Sequence, residues 1–196
     1  ETGLSAANLG VLTSIPFVAF AIFSSVAPLV TARFGMERTL IVSIGVLAAG
    51  SFLRILPAPH VLFIGTALLG IAIAFCNVIM PGLIRREFDQ RVSAMTAVFT
   101  TAMMITASIA AGTAVPLADF GGWRFALGLW GVPALLAFLA WSWRWPNATK
   151  PPAMAAKSKS IWRSLLAWQV TLFMGLQSTT FFVLAIWLSP ILIENG

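Results

Sequence analysis

Six long apolar segments divide this 196-residue chain, and its basic residues fall almost entirely into alternate gaps between them. The segments run from Leu9 to Ala32, Thr39 to Leu56, Val61 to Gly82, Ala94 to Pro116, Arg124 to Trp143 and Ser164 to Leu188. Each approaches the ~20 residues that a helix needs to cross the hydrocarbon of a bilayer. Backbone in lipid has no water to bond, so each crossing must satisfy its own amides, which a helix does within one segment. The expected fold is an all-α membrane protein, a polytopic transmembrane helix bundle with six spans. Composition agrees: 59% of residues are hydrophobic and 9% charged, against about a quarter charged in a soluble domain.

Arg33 and Arg38 lie in the first gap, Arg85, Arg86 and Arg91 in the third, and Arg144, Lys150, Lys157, Lys159 and Arg163 in the fifth. The intervening gaps hold only Arg54 and Arg124, and the basic loops are therefore expected in the cytoplasm, with both chain ends outside. Trp141, Trp143, Trp145, Trp162 and Trp168 cluster near the proposed inner boundary and Trp123 and Trp187 near the outer one, as indole rings favour the headgroup level. The net charge of +6 is accounted for by these loops and gives no reason to invoke nucleic acid.

The longest polar interval, Pro146 to Ser160, is rich in Pro, Lys, Ala and Ser and cannot bury enough apolar surface to fold alone. It predicts a division into a bundle over residues 1–145, a cytoplasmic linker over 146–163 and the first helix of another bundle over 164–196. Within Ile161 to Trp168, Trp162, Leu165 and Leu166 suit an interfacial helix beside anionic headgroups. The chain opens on Glu1 with no basic stretch before its first apolar segment, so it reads as an excerpt of a longer parent. Cys76 stands alone, and one histidine with no paired carboxylates inside a span offers neither a metal site nor an enzyme's acid–base pair; no cofactor is expected.

The hexapeptide Arg33-Phe34-Gly35-Met36-Glu37-Arg38 resembles the loop between the second and third helices of the major facilitator superfamily, Gly-x-x-x-Asp-Arg/Lys-x-Gly-x-Arg/Lys-Arg/Lys. Aligned on Gly35, the chain keeps Arg33, Gly35 and Arg38 but has Pro28 for the first glycine, Ala32 for the aspartate and Glu37 for one cation. The resemblance makes these residues a gating motif; the plainer reading has Arg33 and Arg38 merely anchor an inner loop. Gly122-Trp123-Arg124 is similar to a Gly/Ser-Trp-Arg common in the same superfamily. Within it, Asn77-Val78-Ile79-Met80-Pro81 before Leu83-Ile84-Arg85-Arg86, Val115-Pro116-Leu117-Ala118, Gly122-Trp123-Arg124, and Trp168 to Ser178 look most like the cyanate and 2-nitroimidazole transporter family. The resemblance covers the second to seventh helices of an expected twelve. It implies a secondary transporter of the bacterial inner membrane, moving a small organic or anionic solute by alternating access. Its partners would be that solute, membrane lipid, the remainder of the parent and, in many members, a coupling proton, although Thr66 stands where such members carry a basic residue.

Chemistry alone points to the polar content of the spans, because a polar group in hydrocarbon must face protein or a watery cavity. Thr66, Gly70, Ala74, Asn77 and Pro81 share one face of the third segment, which suits either a cavity wall or tight helix packing. Gln169, Phe173, Gln177 and Thr180 share a face of the sixth, with Gln177 near its midpoint, the depth at which secondary transporters hold solutes. Gln177, Asn77 and Gln169 are the candidate solute contacts, and Met103 a pliable apolar wall. Arg54, close to the outer end of its segment, either snorkels to headgroups or draws anions to an outer vestibule. The competing class is a membrane scaffold or sensor in which the polar residues only lock helices together.

Overall fold

The computed structural model describes residues 6–145 and, from the last segment, residues 165, 168, 169, 171–173, 175–177 and 180. The helices are α1 (Ala6–Phe34), α2 (Met36–Leu53), α3 (Pro59–Glu87), α4 (Val92–Leu129) and α5 (Gly131–Ser142), with a short 3-10 turn at Asp89–Arg91. No strand occurs among the described residues. The chain divides into two units, Glu1–Met154 and Ala155–Gly196. In the second, the described residues are helical and exposed. The expected linker, residues 146–163, lies outside the described residues.

Among the described residues, four stretches are long and apolar enough to cross a membrane: Gly10–Phe34, Met36–Leu53, Pro59–Glu87 and Asp89–Ser142. The last, at 54 residues, would extend about 80 Å at 1.5 Å per residue, far beyond the ~30 Å of hydrocarbon. It is divided at Gly122, whose φ of 80° and ψ of 163° break α4 internally. That conformation belongs essentially to glycine, and it separates the fourth crossing from the fifth. The expected fifth span, from Arg124 to Trp143, is itself interrupted by a turn at Trp130. Pro133 explains the turn: it has no N–H for the carbonyl of Leu129, and its ring would crowd that carbonyl in a continuous helix.

Helix α3 is the centre of the first unit. It runs parallel to α1, with Gly70 set against Pro16 and Ala19 and the Phe75 ring 6.4 Å from that of Phe23. It runs antiparallel to α2, where Gly65 lies against Gly50 and Arg54, and Gly82 against Met36. A methyl group on Gly65 would stand 2.8 Å from the Gly50 carbonyl oxygen, and one on Gly70 would stand 2.7 Å from Pro16 Cα. Side chains are absent where these backbones touch, which is how membrane helices gain contact without a hydrophobic driving force between them. Helix α5 lies antiparallel on the other side of α2, pairing Gly131 with Ser51 and Phe52, and Phe138 with Gly45. Leu40, Ile44, Ile79 and Leu83 form the buried core, flanked by Phe75, Met80, Phe138 and Trp141. Of α4, only Ala126 and Gly128 are buried.

Replacing Gly122 by alanine tests the division of α4. Nothing lies within 4 Å of the added methyl, so the cost is that of the backbone conformation, about 1–3 kcal/mol. The thermal unfolding midpoint of the full-length protein in detergent should fall accordingly; an unchanged midpoint would mean that the turn tolerates a side chain.

Candidate functional site

The turn joining α1 to α2 depends on Gly35, which has φ 90° and ψ 151°. Its N–H donates to the Thr31 carbonyl at 2.9 Å, and its own carbonyl accepts from the Thr39 amide at 3.2 Å and the Thr39 hydroxyl at 2.8 Å. A one-residue turn this tight places Glu37 in the first turn of α2 with its side chain only 5% exposed. The carboxylate meets Arg86 of α3 at 2.6 Å and lies 3.9 Å from Arg144, just beyond α5. Arg86 also bonds Glu87 at 2.8 Å. Opposite charges here match both helix ends, an acid at the N-terminus of α2 and a cation at the C-terminus of α3. The first, third and fifth basic gaps thus meet at one end of the bundle, around one buried acid.

In the sequence, Glu37 stands out only as a departure from the superfamily pattern. The motif residues themselves diverge. Arg33 is exposed, with its guanidinium 5.6 Å from the Phe34 ring, and Arg38 is exposed beside a cavity between α1 and α2. Neither forms an ion pair among the described residues; Gly35 supplies the turn and Glu37 the contact.

On α3, Thr66, Gly70 and Ala74 are buried against neighbouring helices, whereas Asn77 is half-buried and Pro81 exposed. Thr66 donates its hydroxyl to the Leu62 carbonyl at 2.8 Å, and Asn77 donates through Nδ2 to the Ile73 carbonyl at 3.0 Å. The Asn77 carbonyl oxygen has no partner among the described residues. Met103 is 43% exposed on α4. At the opposite end of the bundle, Arg54 caps the C-terminus of α2, lies along Gly65 and holds its Nε buried with no hydrogen-bond partner among the described residues. Gln169 and Gln177 are helical and exposed in the second unit. No cluster of metal-ligating side chains occurs among the described residues.

The helix order, the one-residue Gly35 turn and the Gly122-Trp123-Arg124 break agree with a superfamily whose profile, Major Facilitator Superfamily, matches residues 1–194. The chain belongs to the major facilitator superfamily. It is 42% identical, over 98% of its length, to the 2-nitroimidazole transporter of Escherichia coli (strain K12), and 41% identical over its full length to the uncharacterized transporter YycB of Bacillus subtilis (strain 168). It is 25% identical to the cyanate transport protein CynX of Escherichia coli (strain K12). The resemblance read from the four short stretches is therefore borne out, and the chain is part of a multi-pass membrane protein. It spans about half the length of these relatives: 50% of the first two and 52% of the third.

The Glu37 contact is checked by a double-mutant cycle. Glu37→Gln should lower stability by about 1–3 kcal/mol, since a buried acceptor for Arg86 is weakened while Arg86 keeps Glu87 and water within reach. Combined with Arg86→Gln, the loss should fall short of additivity by roughly 0.5–3 kcal/mol. Strict additivity in thermal unfolding would show that the pair contributes nothing.

Proposed function

We propose that the full-length protein containing this chain is a secondary transporter. It moves a small organic or anionic solute, cyanate- or nitroimidazole-like, by rocking two bundles about a central site. The observation that supports this reading is similarity, along nearly the whole of this chain and about half of each relative, to proteins named for 2-nitroimidazole and cyanate transport. In this reading Asn77, Gln169 and Gln177 contact the solute, Met103 contributes apolar wall, and Arg54 draws anions to the outer vestibule. Arg33, Gly35 and Arg38 form the inner gating loop, and the basic end of the bundle faces the cytoplasm. No carboxylate in the middle of a span of this chain identifies a proton carrier.

The hydrogen bonding supports transport over a scaffold. A polar lock between helices would direct Thr66 and Asn77 to neighbouring helices, yet both bond carbonyls of α3 itself. The unspent Asn77 oxygen remains an acceptor suited to an imidazole N–H.

Counterflow in proteoliposomes holding the full-length protein, with labelled 2-nitroimidazole and cyanate as probes, tests the reading. Gln177→Leu and Asn77→Leu should each lower exchange about tenfold with folding retained, the equivalent of one hydrogen bond of ~1.4 kcal/mol. Exchange of neither probe by the unmutated protein would remove this solute class. Orientation is tested separately by cysteine labelling from outside intact cells: probes at positions 59 and 120 should react and those at 87 and 155 should not.

A further inference from the structure

Between α1 and α2, at the end that carries Glu37 and Arg86, lies a cavity of about 490 Å³ with α3 as its floor. Its walls are Val30 and Phe34 of α1, Val42 and Val46 of α2, and Ile71 and Phe75 of α3. Two hydroxyls also line it, but both are already engaged: Thr39 donates to the Gly35 carbonyl at 2.8 Å and Ser43 to the Thr39 carbonyl at 2.7 Å. Beyond Arg38, a polar solute entering this space would meet only the lone pairs of these two hydroxyls, and each of its polar groups left unpaired would cost about 1–3 kcal/mol.

The single charged lining residue is Arg38, exposed and without an ion pair among the described residues. Trp145 also lines the cavity, and indole rings favour the headgroup level of a bilayer. From Arg38 to Val46 the lining follows α2 for eight residues, a depth of about 12 Å at the helical rise. An amphiphile with an anionic head and a flexible apolar tail matches this distribution: charge at one end, hydrocarbon along the rest. Basic pockets between membrane helices recognise anionic lipid headgroups by the same chemistry.

We infer that this cavity is a binding site for an anionic phospholipid of the leaflet at the basic end, with the phosphate on Arg38 and part of one acyl chain along Val42 and Phe75. The inference does not rest on solute transport.

Native mass spectrometry of the full-length protein, with phosphatidylglycerol and phosphatidylcholine as probes, provides the test. Phosphatidylglycerol should be retained preferentially. Arg38→Gln should weaken its retention about fivefold, the worth of ~1 kcal/mol for one cation near the headgroups, and should leave phosphatidylcholine unchanged. Arg91→Gln, which removes an exposed charge at the same end but outside the cavity, should leave both unchanged. Val42→Trp, which fills the cavity, should reduce phosphatidylglycerol retention without touching the charge. A photoactivatable phosphatidylglycerol should crosslink within residues 30–46. Equal retention of the two lipids, equal effects of Arg38→Gln and Arg91→Gln, insensitivity to Val42→Trp, or displacement by free glycerol phosphate would each overturn the assignment. Unfolding midpoints of the variants separate loss of binding from loss of fold, and an unfolded Val42→Trp leaves the arginine comparison and the crosslink to decide.

Discussion

A carboxylate only 5% exposed among apolar helices requires a cation, and Glu37 finds one in Arg86, 49 residues away in the chain. The core lies directly beneath this contact: Leu40 follows Glu37 by one turn of α2, and Leu83 precedes Arg86 by one turn of α3. Ion pair and core therefore fix the same two helices at the same level, the first through direction and the second through area. Arg144, at 3.9 Å, brings the end of α5 to the same carboxylate. Buried pairs of this kind add little net stability compared with an apolar replacement, but losing one partner is costly. Their effect is to specify which helix ends meet.

The contacts of α2 show how that specification extends along the bundle. Opposite its Glu37 end, α2 closes against Gly65 of α3, and on its other side it meets Gly131 and Phe138 of α5. Glycine at a contact lets a neighbouring backbone or ring sit at van der Waals distance, and in lipid that packing is most of what holds helices together. The basic end is thus held by charge and the opposite end by close approach. The turns obey the same economy. Gly35 and Gly122 both take a conformation that other residues avoid, each where one helix must stop within a single residue and the next begin.

Much of this was legible in the sequence because a bilayer leaves a backbone so few choices. The first four spans were read within a few residues of their helices, since apolar length and flanking arginines report directly on where a chain leaves hydrocarbon. The break at Trp130 was not read, although Pro133 marked it, because a proline near the start of an apolar run also suits an unbroken span. The meeting of Glu37 with Arg86 was not legible at all: five arginines other than Arg86 lie at helix ends or turns nearby, at positions 33, 38, 85, 91 and 144, and sequence spacing does not say which one points inward. The small-residue face of α3 illustrates a different limit. Thr66, Gly70 and Ala74 fit a cavity wall and a packing seam equally well in sequence, because both need small side chains at helical spacing, and only the position of α1 decides between them.

Polar residues within the spans divide by how much bonding capacity their own helix can absorb. A threonine or serine hydroxyl has one donor, and the carbonyl one turn back is within its reach; Thr66, Thr106 and Ser142 all bond in this way. Such a residue is nearly apolar in its outward behaviour and says little about a watery path. An amide is different, having two N–H donors and an acceptor. Asn77 spends one donor on Ile73, and its oxygen has no partner among the described residues. In a low-dielectric span an unspent acceptor carries a desolvation cost until something bonds it. Threonines in a span therefore weigh less than a single amide, and on α3 it is Asn77, rather than Thr66, that retains bonding capacity among the described residues.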